Sequence, residues 1–275
     1  MLGTLSHLVG KHRCGMTTRS EFPDVTVFDE VEPCPYLDDQ RARLPLQVPS
    51  HSVTPSETDA RLAAGQRRTG EFVYNIHCPK CQACKPIRLR PHRVKRSRTH
   101  RRTLKRNNQC LETRVSAVQV DPTRIELFNL HRAKRGLGRE ASAIDTEEYA
   151  WAFRRSCFDT FEISYWLDGQ LVCVSICDRG YASLSAVYTY YDPALAKLSL
   201  GTYSILKQIE FCRQTGREFL YLGFYIAESR HMSYKGQFLP NERLQDGQWK
   251  EFVEPPARHP LVSLSQISDA LDRPS

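Results

Sequence analysis

The chain has 275 residues, 25% charged and 40% hydrophobic, with a formal net charge of +8 at pH 7. That length holds one large domain or two modest ones, and no run of about 18 apolar residues occurs to span a membrane as a helix. Ten cysteines without a convincing secretory leader predict a reducing, cytoplasmic setting over a disulfide framework, and the positive balance favours a polyanionic partner.

Residues 1–15 read as a disordered extension or an upstream start, because Met16 opens a segment of ordinary composition and Ser6 and His7 interrupt the apolar run before it. Residues 16–115 form a first region that carries cysteines and basic side chains. Its proline-rich start, 16–49, predicts a loop with one short strand. A helix is expected within 50–65, capped by Thr54 or Ser56 and ended by Gly65. Alternation at 71–76 and 86–90 predicts two strands joined as a hairpin-like unit through a cysteine-rich turn. Residues 85–114 then hold twelve Lys or Arg and a single acid, Glu112. A solvated helix face is the plain reading of such a stretch. Its one-sidedness points instead to a phosphate backbone, with Arg93, Lys95, Arg96, Arg98, Arg101, Arg102, Lys105 and Arg106 as the contacts.

Residues 116–253 form a second region, beginning with a strand at 113–120 and a helix at 122–135 that has Pro122 in its first turn. A shorter helix follows at 146–153, capped by Asp145 or Thr146. Asp168-Gly169 is a hairpin turn between two alternating runs, and a third strand spans 184–190. A helix from about Gly201 or Thr202 to Gln214 carries Tyr203, Ile205, Leu206, Ile209 and Cys212 at helical spacing, with Ser199 or Thr202 as cap and Gly216 as terminator. Glu218 to Ile226 is apolar enough to be a buried strand. Residues 254–275 read as a loose tail. A meander, a helix entered through a short glycine turn and a parallel return strand make an α+β fold with a mixed sheet, acetyltransferase-like (GNAT-like) by analogy of element order.

Ligands of such a sheet gather where strands end and a helix begins. This singles out Tyr191 and Asp192, the turn residues Ser199, Gly201 and Thr202, and the polar loop Glu228, Ser229, Arg230, Tyr234 and Lys235. Cys34, Cys78, Cys81 and Cys84 are spaced to hold zinc or an iron–sulfur cluster, or stand as redox-active or packed thiols. Cys14, Cys110, Cys157, Cys173, Cys177 and Cys212 read as small core residues.

The segments CPYLDDQRARLPL, RRTGEFVYNIHCPKCQACKPIRLR, SRTHRRTLKRN, YYDP, SLGTYSIL and LYLGFYIAESRHMSYKGQF together resemble the bacterial aminoacyl-tRNA–protein transferases, over about residues 20–245. The resemblance is greatest to the aspartate/glutamate leucyltransferase group, kin to arginyl-tRNA–protein transferase. It implies transfer of leucine, or alternatively arginine, from tRNA to the α-amine of proteins that begin with Asp or Glu, marking them for degradation. No cofactor is required for that transfer. In this picture Asp192 or Glu228 takes the amine proton, and Tyr191 or backbone N–H groups at Ser199 to Thr202 meet the oxyanion. Arg230 and Lys235 face the acidic side chain, and the basic stretch holds the tRNA. An acetyl-CoA-dependent N-acetyltransferase and a non-catalytic RNA-binding protein are the rival readings. The first lacks a full glycine cradle before the helix, and the second leaves the YYDP and LYLGFYIAESR stretches without a task.

Overall fold

The computed structural model describes residues 22–136, 143–229 and 231–255. The expected extension 1–15, nearly all of the tail, Cys14 and Arg230 lie outside the described residues. Strands β1 (Asp24–Phe28), β2 (Val31–Pro33), β3 (Arg41–Arg43) and β4 (Leu46–Pro49) come first, then helix α1 (Pro55–Ala63), β5 (Arg67–Thr69) and β6 (Phe72–Tyr74). Next are β7 (Lys85–Leu89), α2 (Arg98–Asn107), β8 (Leu111–Ala117), α3 (Pro122–Arg135) and α4 (Thr146–Tyr149), which runs on as a π turn over Ala150–Arg154. The remainder is β9 (Asp159–Leu167), β10 (Gln170–Arg179), β11 (Ser183–Tyr191), α5 (Leu200–Gln214), β12 (Phe219–Tyr225), β13 (Asn241–Gln245) and β14 (Gln248–Phe252).

The architecture is α+β. A mixed sheet of eight strands, in the order β14-β13-β7-β12-β11-β10-β9-β8, stands beside a four-stranded sheet, β1-β4-β6-β5, and the small ribbon β2-β3. In the large sheet only β11 and β12 run parallel, as a helix crossover between them requires. Asp168 and Gly169 both take positive φ, which matches the twist of β9 and β10 and closes their hairpin tightly.

Helices cover both faces of the large sheet. On one side α5 sets Leu206 and Ile209 against Ile87, Leu89, Phe161 and Leu220. On the other, Phe128 of α3 and Tyr149 and Phe153 around α4 meet Val174, Ile176 and Tyr190. Alternation along β10 divides these cores, because Cys173 and Cys177 point to the first and Val174 and Ile176 to the second. Local chemistry sets the helix ends. Asp121 accepts the Arg124 N–H at the start of α3, and Gly136 at φ 60 ends it.

Several expectations need correction. The strands at 72–74 and 85–89 do not pair with each other: β6 lies between β4 and β5, while β7 inserts between β12 and β13. Alternation establishes a strand but does not name its partner, and Ile87 and Leu89 are both fully buried in the α5-side core. The proline-rich start holds four short strands, with Pro33 and Pro49 at strand ends where a missing N–H costs least. The boundary at 115/116 falls inside β8, and β7 of the first region belongs to the large sheet. Cys110 is exposed, unlike buried Cys173, Cys177 and Cys212.

Strands β11 and β12 pair only from Ser183 with Phe219 to Ser185 with Tyr221. Beyond that point they part. The β12 register against β7 breaks between Tyr221 and Phe224, and Gly223 within the break has φ 76. A left-handed bulge of this kind is steeply disfavoured for any side chain. The parting of the two strands opens the sheet to the space described next.

Candidate active site

A cleft of about 910 Å³ lies at the split. Its walls come from the free ends of β11 (Tyr188, Tyr191) and β12 (Gly223, Phe224), from the start of α5 and from the last turn of α3. Strand β5 and the loop after β12 complete it.

At one end, Ser199 has φ 51 and makes no side-chain cap, so the first N–H groups of α5 have no partner within the helix. Leu200, Gly201 and Thr202 line the cleft there. The Tyr191 ring rests against this turn: a Cβ on Gly201 would lie 3.3 Å from Tyr191 Cε1 and 3.7 Å from its hydroxyl oxygen. Arg135 donates to that hydroxyl oxygen and, at 3.0 Å, to His231 Nδ1. The Tyr191 oxygen thus accepts from a guanidinium while keeping its own proton to donate. His131 Nδ1 sits 2.9 Å from the Tyr191 carbonyl oxygen and 3.2 Å from its nitrogen, which pins the strand end. Burial, ahead of the opposing Tyr191 carbonyl and the assisting Arg135 and His231, pushes this imidazole down to about 4, so it is neutral near pH 7.

The other end is cationic. Lys235 donates to the Phe224 carbonyl at 3.0 Å, and burial followed by Arg67 pushes its ammonium down to about 7. Arg67 donates to the carbonyls of Gln66 at 2.7 Å and Gly223 at 3.3 Å, and its Nε is buried without a partner. Burial lowers its guanidinium to about 10. Arg132 lines the same cleft with Nη1 buried and unpartnered. None of Arg67, Arg132 and Lys235 forms an ion pair with a carboxylate among the described residues. Arg68 differs, being held by Asp178 through bonds of 2.7 and 2.8 Å.

Of the residues singled out from sequence, Tyr191, Ser199, Gly201, Thr202, Ser229, Tyr234 and Lys235 all line the cleft. Asp192 and Glu228 do not. The Asp192 carboxylate accepts the Ala194 N–H at 2.8 Å, capping the short turn before α5. Glu228 is exposed, and neither carboxylate is part of the cleft lining. The structure adds Arg67, His131, Arg132, Arg135 and His231. A signal existed for two groups of them: paired arginines before Gly70, and three basic side chains within the last turn of α3.

The basic stretch folds as α2 with a one-sided surface. Arg98, Arg101, Arg102, Lys105 and Arg106 are exposed, and His100, Thr103, Leu104 and Asn107 are buried. Those five and the exposed Lys95 have no carboxylate partner among the described residues, whereas Arg93 pairs with Glu251 and Arg96 with Glu210.

Cys34, Cys78, Cys81 and Cys84 gather behind the Tyr74 and Phe224 wall of the cleft. Burial, then the neighbouring Cys34, Cys78 and Cys81, raises the Cys84 thiol to about 12. Among the described residues no three His, Cys, Asp or Glu side chains stand arranged as a preformed metal site.

Two family models match this chain. One is arginine-tRNA-protein transferase, N terminus, over residues 32–102, and the other is arginine-tRNA-protein transferase, C terminus, over residues 123–245. An aspartate/glutamate leucyltransferase of Chromobacterium violaceum is 33% identical over 81% of this chain and 91% of its own length. One from Thiobacillus denitrificans is 35% identical over 79% and 90%. The chain belongs to the arginine-tRNA-protein transferase family. It is therefore an aminoacyl-tRNA–protein transferase, acting on aminoacyl-tRNA and on protein. The cleft is a seam between the two matched parts of this transferase, with Arg67 from the first and Tyr191 and Lys235 from the second. Among solved structures, FemX is similar over 72% of this chain and 68% of its own, at 7% identity and a TM-score of 0.48. No functional conclusion follows at that distance.

Proposed function

We propose that this transferase moves leucine from leucyl-tRNA to the α-amine of proteins that begin with Asp or Glu, marking them for degradation. The observation that carries this reading is a single cleft with uncapped helix N–H groups and a tyrosine hydroxyl at one end and unpaired cations at the other. The relatives named for leucine transfer to aspartate and glutamate support the choice of substrates. The split sheet and the α5 entry also support an acetyltransferase-like architecture for the catalytic half.

The ester on tRNA is already activated, so positioning supplies much of the rate. The amine nitrogen attacks the ester carbonyl, the bond to the ribose 3′ oxygen breaks, and an amide forms. The proton lost by the amine ends on the released 3′ hydroxyl. An α-amine with a pKa near about 8 is neutral in part at neutral pH, and the attack needs no buried carboxylate base. As the carbonyl oxygen gains charge, the Tyr191 hydroxyl and the N–H groups at Gly201 and Thr202 converge on it from fixed positions. The exposed face of α2 meets the tRNA backbone.

The test is transfer of labelled leucine and, separately, arginine from charged tRNA onto peptides that begin with Asp, Glu, Lys or Ala. Leucine on Asp and Glu alone supports the reading. Arginine on the same peptides would keep the chemistry and correct the donor, and no transfer from either would remove the reading.

A further inference from the structure

We infer that Arg67, reaching from the small sheet into the cleft, is the specificity-determining residue that reads the acidic side chain of the substrate's N-terminal residue, with Lys235 completing the carboxylate seat. The inference rests on the acidic-terminus reading above.

The two cations are held by successive carbonyls of one bulge. Arg67 donates to Gly223 at 3.3 Å and Lys235 donates to Phe224 at 3.0 Å. Gly223 is set there by its φ of 76, which L side chains rarely adopt, and a Cβ on it would lie in ordinary contact with the Lys235 nitrogen at 3.7 Å. The Arg67 guanidinium carbon is 5.5 Å from each of the Tyr221 and Phe224 ring centres, so two aromatic faces flank it. Only 7% of Arg67 is exposed, its charge bears on Lys235, and among the described residues its Nε has no acceptor and neither cation pairs with a carboxylate.

Two buried cations side by side repel each other, and a buried charge with no counter-charge is costly. Such an arrangement persists where a bound anion supplies the missing partner. A planar carboxylate matches the guanidinium fork. The side chain of Asp or Glu hangs from the same residue as the attacking amine. The phosphate backbone of tRNA has its own open surface on α2.

The experiment compares transfer of leucine to peptides that begin with Asp and with Asn, using wild type and Arg67→Gln. Wild type favours Asp. In R67Q the Asp-to-Asn preference falls about 100-fold, and the loss appears in the peptide KM and not in the KM for leucyl-tRNA. A preference kept intact in R67Q overturns the inference while leaving the transferase reading in place. So does a raised KM for leucyl-tRNA at constant preference, which would assign Arg67 to phosphate. Wild type that transfers to neither peptide defeats the transferase reading itself. If R67Q does not fold, Arg67→Lys, which keeps the charge and loses the fork, replaces it. R67K must still lower the preference, and a wild-type ratio in R67K overturns the inference.

Discussion

Asn107, the last residue of α2, donates its side-chain amide to the Leu198 carbonyl at 2.7 Å, just ahead of α5. Asn108 accepts the Tyr203 hydroxyl at 2.9 Å from within α5. These two bonds fasten the basic helix to the helix whose N-terminus opens on the cleft. The surface that suits a phosphate backbone and the groups that suit an ester are thus held in one fixed relation.

Charge reversal at Arg101, Arg102 and Lys105 should therefore raise the KM for aminoacyl-tRNA by about 10-fold or more. It should also reduce the slope of log affinity against log salt by about 3. Peptide KM should stay as it is. Unchanged tRNA kinetics across a salt series would remove α2 from the tRNA surface.

Tyr191 and Asp192 are neighbours in sequence with different expected roles. Tyr191→Phe removes the hydroxyl that Arg135 polarises and should lower kcat by about 10- to 100-fold with little change in either KM. Asp192→Asn keeps an acceptor for the Ala194 N–H and removes only the charge, so kcat should stay within about 3-fold. A large kcat loss in Asp192→Asn would restore it as a proton acceptor.

Much of this was legible in the sequence where the signal is local. Pro122 marks the start of α3, and Asp168-Gly169 marks the hairpin. The helix entry at Ser199 to Thr202, the tyrosine at the end of β11 and Lys235 were all placed at the cleft by strand and helix reasoning alone. What stayed hidden depends on tertiary partners. The destination of β7 between β12 and β13 is set by burial of Ile87 and Leu89 against α5, and nothing near residue 87 names that partner. Arg67 looked like one basic residue among many until the fold enclosed it without a carboxylate.

Lys235 makes a pH prediction with a definite sign. Burial, then Arg67, pushes its folded pKa down to about 7, from 10.5, against a small opposing influence of Cys84. Between those values the unfolded chain holds a proton that the folded chain lacks, so stability rises with pH across the window. The penalty is complete below about 7 and gone above about 10.5. Lys235→Met should flatten this slope, measured by urea unfolding at several pH values. Parallel curves for the two proteins would mean that the lysine titrates normally.

The carboxylate of Glu162 is fully buried and holds Arg124 and the Gln119 N–H. Arg124→Ala leaves that carboxylate without its cation and should cost about 3–5 kcal/mol. The change should appear as a lowered Tm with an unaltered KM for leucyl-tRNA, because the pair lies near Tyr149 and Tyr190 and does not line the cleft. An unshifted Tm would show that the pair contributes no net stability.

The central claim is that one cleft brings a free α-amine to an aminoacyl ester. The most direct measurement offers labelled leucyl-tRNA to the purified protein with two forms of one peptide beginning with Asp, its α-amine free or acetylated. The account predicts label in the free peptide, bound through an amide that survives mild base, and none in the acetylated form. Label in both forms, or in neither with folded protein and intact leucyl-tRNA, would contradict it.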